Sequence, residues 1–595
     1  MMNKPLKNER ILPTKVLVHY LYKYMRKYLK DYALVILIMI FNVIADLSMP
    51  ALIKLCLDEL SFEVIEFKNI IIIGIVAIIA LLVLCATQYI MTMILHHTSH
   101  KIIYKLREDV FAHIQELSHS QLNDIPVGTL VTRATSDVNV LFNMYTNVLV
   151  NILKNVVMII SVFVIMFVIN SELTLILLCI VPVLGIFSYV FRKYLRSVHR
   201  SVRSDVASMN AFLSENISGM KVTQIFNQEN KKFDEFVNNN KHLQKSLIKQ
   251  VIVFGIFRPT IFVMYIASVA IVLWFGGKQA IESFGMVEPI MTFSILYQFY
   301  QYVSKFFNPI QTLADQFNEL QSAFASAEKI FYILSIDPLI KDAEDAIDIE
   351  ITGDIEFKDV WFSYIPNEWV LKGVSFHIHK DDTVAFVGTT GSGKTTILSL
   401  ICRNYDIQKG QILIDGVDIK KIKLSSLRKQ IAQMLQDVFL FSGNIISNIK
   451  LDDDSISKED VIKASEYVNA SKFIEKLPNG YEEEVRERGN NFSLGQRQLI
   501  SFARTIAHKP NVLILDEATA NIDTETESLI QDSLEKIMKN GTVIVVAHRL
   551  STIQHADKIY VFNNGQIIEE GTHQELLKKQ GRYYKLYLLQ FADEK

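Results

Sequence analysis

All the long apolar runs of the chain lie before about residue 310, and the rest alternates polar and apolar positions like a soluble domain. Six runs, at 33–57, 70–95, 145–169, 173–191, 251–275 and 286–306, are long enough to cross a bilayer as helices, which takes about 20 residues each. One such run fits a buried soluble helix. Six in one half of a chain predict a helical membrane domain, followed after a charged junction near 341–348 by an α/β domain. The boundaries expected are 1–330 for the membrane domain, 331–350 for a linker and 351–595 for the second domain.

Charge then sets the direction of insertion. Lys4, Lys7, Arg10, Lys15, Lys23, Arg26, Lys27 and Lys30 precede the first run, and 192–249 is also rich in Lys and Arg. The connections 58–69, 170–172 and 276–285 are short and nearly free of basic residues. The positive-inside rule places both ends of the chain in the cytoplasm, which agrees with an even number of spans. The segments 96–144 and 192–250 are too long and too polar to be turns, and their helical patterning predicts extensions of the membrane helices into the cytosol. Their tips, 124–137 and 215–229, are the places from which force can pass to the second domain. The basic, aromatic first thirty residues carry no short apolar core and no small-residue cleavage site, so no removable signal is expected.

Ionisable groups inside spans are costly and often functional. Asp46 lies near the middle of the first run, where it either faces a substrate cavity or pairs with a polar group on another helix. Lys154 and Arg258 lie nearer the cytoplasmic ends, where snorkelling explains them. Phe293, Tyr297, Phe299 and Tyr300 line the last run, for packing first and for a greasy binding wall second.

In the second domain, Gly388, Thr389, Thr390, Gly391, Ser392, Gly393, Lys394, Thr395 and Thr396 follow the apolar strand 384–387 and precede a helical run. This is a P-loop in its strand–loop–helix setting. Its backbone N–H groups and the helix N-terminus wrap phosphates, Lys394 reaches the β and γ phosphates, and Thr395 binds Mg²⁺. The strand 511–515 ends in Asp516 and Glu517. Asp516 is placed to hold Mg²⁺ through water and Glu517 to polarise the attacking water, a general-base role. Alone that ending is weak; with the P-loop upstream it is strong.

Between these motifs, Phe492-Ser493-Leu494-Gly495-Gln496-Arg497-Gln498 resembles the signature motif of ABC transporter ATPases. The resemblance covers nearly the whole chain. Tyr364 is similar to the aromatic residue that stacks on adenine. Gln436 is similar to the Q-loop glutamine that senses Mg²⁺ and couples to the membrane domain. Glu487-Arg488-Gly489 is similar to an exporter-specific loop, 520–523 to the D-loop, and His548 to the switch histidine at the γ-phosphate. In the membrane half Asp124, Gly128, Arg133 and Asp137 fit the exporter pattern. The resemblance implies a helical subdomain within the ATPase domain, ATP with Mg²⁺, and a dimer in which each ATP is held between one P-loop and the partner's Ser493, Gly495 and Gln496. The fused order, membrane first, implies export.

One position departs from the pattern: Leu494 stands where the usual signature has its first of two glycines. A side chain there weakens the site that this signature completes, while Glu517 and His548 are intact. The combination resembles one subunit of a bacterial heterodimeric multidrug exporter; a homodimer that tolerates Leu494 is the alternative.

Composition narrows the rest. Net charge is −2, so a nucleic-acid partner is not expected. The expected partners are a second exporter half, membrane lipid and a small amphipathic substrate, at the bacterial plasma membrane. The four cysteines, Cys56, Cys85, Cys179 and Cys402, make no metal spacing and are expected to be buried thiols.

Overall fold

A computed structural model describes residues 12–61, 66–282, 291–434, 438–516, 524–538, 541–546 and 553–593. They fall into two compact units, one drawn from 1–114 and 128–336, the other from 115–127 and 337–595.

The first unit is helical throughout. α1 (Thr14–Arg26) lies before α2 (Leu29–Leu60) and α3 (Phe67–Glu116). The helices Val127–Ile169, Ser171–Leu178, Ile180–Ser218, Met220–Ile225, Glu229–Glu282 and Phe293–Leu334 follow. α3 has 50 residues and Glu229–Glu282 has 54, against the 20 or so that span a bilayer. The surplus forms the expected polar extensions.

Among the described residues, four helices are long and apolar enough to cross a membrane: α2, α3, Val127–Ile169 and the Pro259–Glu282 part of Glu229–Glu282. The other two expected spans differ in detail. The run 173–191 is divided at Cys179, between Ser171–Leu178 and Ile180–Ser218. Pro182 lacks the N–H that would bond the carbonyl of Leu178, so one ladder cannot continue through it. In the sixth run the described helix starts at Phe293, where Thr292 accepts from the Ile295 N–H at 3.3 Å; residues 283–290 lie outside the described residues.

Several polar groups inside this unit find partners. Asp46 pairs with Lys305 of Phe293–Leu334 at 2.6 Å, so the pairing reading of Asp46 is the one observed. Lys154 Nζ donates to Gln88 Oε1 at 3.4 Å. Asp137 is buried, ion-paired with Arg133 within a π-helical turn, Arg133–Asp137, and accepts from Ser326 Oγ at 2.8 Å. Phe299 is fully buried, and the Tyr302 hydroxyl donates to the Leu47 carbonyl, so packing accounts for much of the last helix. The side chain of Arg258 lies outside the described residues. The cysteines correct the expectation: Cys85 and Cys179 are exposed, Cys56 and Cys402 only half-buried. Cys85 lies on the apolar helix α3 and Cys179 at the break between two apolar helices.

The second unit is built on two sheets. Strands β1 (Ile355–Phe362), β2 (Leu371–Ile378), β4 (Lys409–Ile414) and β5 (Val417–Asp418) form an antiparallel sheet in the order β2-β1-β4-β5. β3 (Thr383–Gly388), β6 (Ile431–Met434), β9 (Val512–Asp516), β10 (Thr542–Val546), β11 (Lys558–Asn563) and β12 (Gln566–Gly571) form the other, in the order β12-β11-β3-β10-β9-β6. A short pair, β7 (Gly443–Asn444) and β8 (Glu484–Val485), stands apart. All pairs from β11 to β6 are parallel, as continuous apolar runs predict. Alternate residues serve two cores. Val512 and Ile514 of β9 face the antiparallel sheet and the Lys394–Ile401 helix, while Leu513 and Leu515 face a helical layer carrying Leu499, Phe502 and Ala503. That layer is the helical subdomain.

α4 (His119–Asp124) belongs to this second unit although its chain neighbours are membrane helices. Buried Gln121 holds it. Its Oε1 accepts from the Ser118 N–H, the Ser118 hydroxyl and the Leu339 N–H, and its Nε2 donates to the Asp337 carbonyl at 2.8 Å.

Asp46→Ala is expected to leave Lys305 without its counter-charge in the apolar interior and to lower the melting temperature in detergent, at a cost of about 2–4 kcal/mol. Asp46→Ala with Lys305→Ala should recover most of the loss; equal melting of the single and double variants would contradict the pair.

Candidate nucleotide site

β3 ends at Gly388, and the chain turns through 389–393 into the helix Lys394–Ile401. Two glycines make the turn possible. A Cβ on Gly388 would meet the Phe562 carbonyl oxygen at 2.4 Å, so β11 can approach only glycine there. Gly393 has φ +107°, and a Cβ would also meet Leu371 at 2.8 Å. The loop is fixed from below: the Gly565 N–H donates to the Ser392 carbonyl at 3.1 Å, and the Ser392 N–H to the Thr389 carbonyl at 3.1 Å. Thr389, Thr390 and Gly391 stand exposed at the rim.

Lys394 is buried, with Nζ folded across the loop to the carbonyls of Gly388 at 2.7 Å and Thr389 at 3.1 Å. The buried Ser392 hydroxyl has no hydrogen-bond partner. An orphaned buried hydroxyl, a buried ammonium and the N-terminus of the helix converge on one loop, a donor set that suits phosphate oxygens. The Thr395 side chain is exposed on the first turn, while Thr396 is buried.

The parallel register places Asp516 at the same sheet edge. Val546 of β10 lies opposite both Phe386 of β3 and Asp516 of β9. Asp516 is therefore level with the last residues before the P-loop, one strand removed. Thr395 and Asp516 offer hydroxyl and carboxylate oxygens, the hard ligands that Mg²⁺ takes.

Tyr364 follows β1. Its hydroxyl lies 3.1 Å from Thr396 Oγ1, on the helix that starts at the P-loop, and burial raises its phenol above its ordinary pKa, so it stays neutral. The ring stands edge-on to Phe362 at 4.9 Å and to Tyr405 at 5.1 Å, leaving it about half exposed. Tyr405 also meets His119 of α4 edge-on, with ring centroids 6.2 Å apart. One ring thus touches both the adenine candidate and the helix fastened by Gln121. Sequence reading missed Tyr405; an aromatic residue just past the P-loop helix was the only trace of it.

Ser493 caps the helix Leu494–Ala507. Its hydroxyl accepts from the Gln496 N–H at 3.2 Å, and Gln496 Oε1 accepts from the Ser493 N–H at 2.9 Å. Gly495 is buried against this first turn. Leu494 begins the helix as an ordinary half-exposed residue. Ser493 and Gln496 bond each other, so the structure brings together Tyr364, the P-loop and Asp516 but keeps the signature on its own helix. Arg504 of that helix, also missed, donates to the carbonyls of Asn448 at 2.8 Å and Phe439 at 3.2 Å, tying the signature helix to the segment after β6. Gln436, Glu517, 520–523 and His548 lie outside the described residues.

Comparison with known proteins agrees with this geometry. Residues 32–309 match the ABC transporter transmembrane region and 371–520 the ABC transporter ATPase family. The chain is 37% identical over 512 residues to a probable multidrug resistance ABC transporter ATP-binding/permease protein of Bacillus subtilis, covering 84% of this chain and 74% of that one. It is 33% identical over 553 residues to an ATP-dependent lipid A-core flippase of Syntrophus aciditrophicus, covering 93% and 90%. Its fold is similar to a bacterial Atm1-family ABC exporter with ATP bound, with a TM-score of 0.77 at 24% identity, covering 95% and 98%.

Tyr405→Ala removes edge contacts to Tyr364, Phe362 and His119. It should raise the ATP concentration for half-maximal hydrolysis roughly 2–10-fold, the range of one aromatic pair, and Tyr405→Phe should restore it. Unchanged nucleotide dependence in the alanine variant would remove the positioning role.

A helical membrane domain in series with a P-loop sheet, a capped signature helix and matches across both halves make this chain a member of the ABC transporter family, of the exporter type, whose ATPase is coupled to transport.

Proposed function

We propose that the chain is one half of a dimeric exporter that moves amphipathic compounds, drugs or lipids, out of the cytoplasm or inner leaflet by alternating access. Its membrane domain spans 1–330, its linker 331–350 and its ATPase domain 351–595, with both termini cytoplasmic. The multidrug and lipid A-core names of the relatives support an amphipathic cargo. The tip helix Met220–Ile225 supports a second chain. Ile217, Val222, Ile225 and Phe226 are each 59–68% exposed there, an apolar cluster that calls for cover.

In this reading Tyr364 stacks on adenine. The P-loop from Gly388 to Thr396, with Lys394, holds the phosphates. Thr395, Gln436 and Asp516 would hold Mg²⁺, which would screen charge on the phosphates. Glu517 orients and deprotonates the attacking water, and His548 contacts the γ-phosphate. The partner's signature closes the site, and the domains are drawn together because both grip one nucleotide. The two tip segments relay that closure to the spans, a two-state element biased by ATP.

The partner is a different chain. The observation that carries this is Leu494 at the head of an otherwise intact, capped signature helix: an isobutyl group stands where the usual signature has a glycine, on the first turn that a γ-phosphate would have to approach. This chain's Glu517 and His548 then work in the one competent site, completed by the partner's glycine-bearing signature. A homodimeric lipid exporter is the second reading, favoured by the ordinary helical start that Leu494 adopts.

Purified alone, the chain is expected to hydrolyse ATP at less than roughly a tenth of its rate with the partner, a loss of 1.4 kcal/mol or more in transition-state stabilisation. Brisk, drug-stimulated hydrolysis by the lone chain would establish the homodimer instead. In the pair, Glu517→Gln should keep ATP binding and nearly stop turnover; normal turnover would move the base role elsewhere.

A further inference from the structure

A recess of about 650 Å³ lies between α1 and the part of α3 beyond its apolar run. At the end of α1 and in the turn after it, Lys23 and the C-cap Lys27 line the recess, with Tyr24 and Tyr28 beside them. On α3, Lys101 and Lys105 repeat that spacing, and His97 and Tyr104 complete the wall. One internal contact presets the walls: the Tyr24 hydroxyl donates to Asp109 at 2.8 Å, and Asp109 also pairs with Lys105 at 3.0 Å, joining α1 to α3. Lys105 is further neutralised by Glu108 at 3.1 Å. Lys23, Lys27 and Lys101 are exposed and pair with no carboxylate among the described residues.

The depth of the recess is set by sequence. α1 immediately precedes the first apolar run, and His97 comes just after the second run ends at 95. By the ends of these runs, both walls would begin where hydrocarbon gives way to headgroups, the level at which tyrosine is enriched. Along α3, Ile90 and Met93 are exposed and lie at helical spacing on the same stripe as His97, His100 and Tyr104. An apolar track therefore runs from the membrane into a cationic, phenol-lined recess.

We propose that this recess is a binding site for an anionic phospholipid. The phosphate-bearing headgroup sits among Lys23, Lys27 and Lys101, and the acyl chains lie along Ile90 and Met93. A soluble phosphate would use the lysines but not the apolar track. The lipid would tie α1 to α3, so its occupancy sets how firmly the first helix is held against the bundle. That the recess opens to the cytoplasmic leaflet rests on the orientation proposed above.

The full chain, delipidated in detergent, is titrated with phosphatidylglycerol and, separately, phosphatidylcholine, and bound lipid is counted by native mass spectrometry. Wild type should retain phosphatidylglycerol over phosphatidylcholine. Lys23→Gln, Lys27→Gln and Lys101→Gln together should weaken phosphatidylglycerol binding roughly 10-fold or more, and the three Lys→Arg changes should restore it. A control triple at Lys241, Lys245 and Lys249 should bind like wild type. ATP binding recorded in the same spectra shows that each variant is folded. Equal retention of the two lipids, equal retention by wild type and the glutamine triple, or full displacement by glycerol phosphate would each overturn the proposal. A cysteine introduced at Lys15 and labelled from one side of a sealed vesicle tests the orientation separately, so failure of that reading is told apart from failure of the site.

Discussion

The fastening of α4 by Gln121 is the local constraint that makes this segment part of the ATPase unit. Four hydrogen bonds converge on one buried amide, two closing the start of α4 and two reaching the backbone at Asp337 and Leu339. The amide uses both its acceptor oxygen and its donor nitrogen, so a shorter or purely apolar side chain would forfeit all four hydrogen bonds, at about 0.5–1.5 kcal/mol each. Through this joint a segment flanked in sequence by membrane helices becomes part of the ATPase unit. Any tilt of that unit must then pull on the chain at both ends of α4.

The aromatic contacts give the joint something to sense. Tyr405 stands edge-on to both Tyr364 and His119, and edge-to-face rings resist sliding because their quadrupoles favour that angle. The Tyr364 hydroxyl is held at Thr396, on the helix that begins at the P-loop. Displacement of the Tyr364 ring would thereby be felt at α4 through two ring contacts, without a flexible side chain between them. The Arg504 bonds play the matching part on the signature side, where they join the capped helix to the segment that follows Gln436.

Local chemistry was legible in the sequence, and long-range pairing was not. The P-loop could be read because its glycines, lysine and hydroxyls must be contiguous to wrap a phosphate chain, and β3 and the following helix set them where expected. The both-faces-buried strands announced themselves as unbroken apolar runs. Lys305 and Asp46, in contrast, are 259 positions apart, and nothing in the pattern around either names the other. Tyr405 and His119 met only once the ATPase unit had recruited α4. The break at Cys179 was hidden because hydropathy counts apolar surface and is blind to the missing N–H of Pro182. The π-helical turn at Arg133–Asp137 was hidden for the same reason, since backbone register leaves no mark on composition.

The membrane half shows how charge is tolerated where water is scarce. Asp46 is neutralised by Lys305, and Asp137 by Arg133 together with Lys329 at 3.9 Å. Asp137 adds Ser326, a hydrogen bond that spares its other oxygen from desolvation. The two pairs differ in what they constrain. Arg133–Asp137 lies within one stretch of helix and stabilises a π-turn that straight helical geometry would expel. Asp46–Lys305 joins the first and last membrane helices, so separating those helices would expose two charges to hydrocarbon at once. A rigid-body opening of this bundle is therefore cheapest where that pair stays closed and the first and last membrane helices move together as one block.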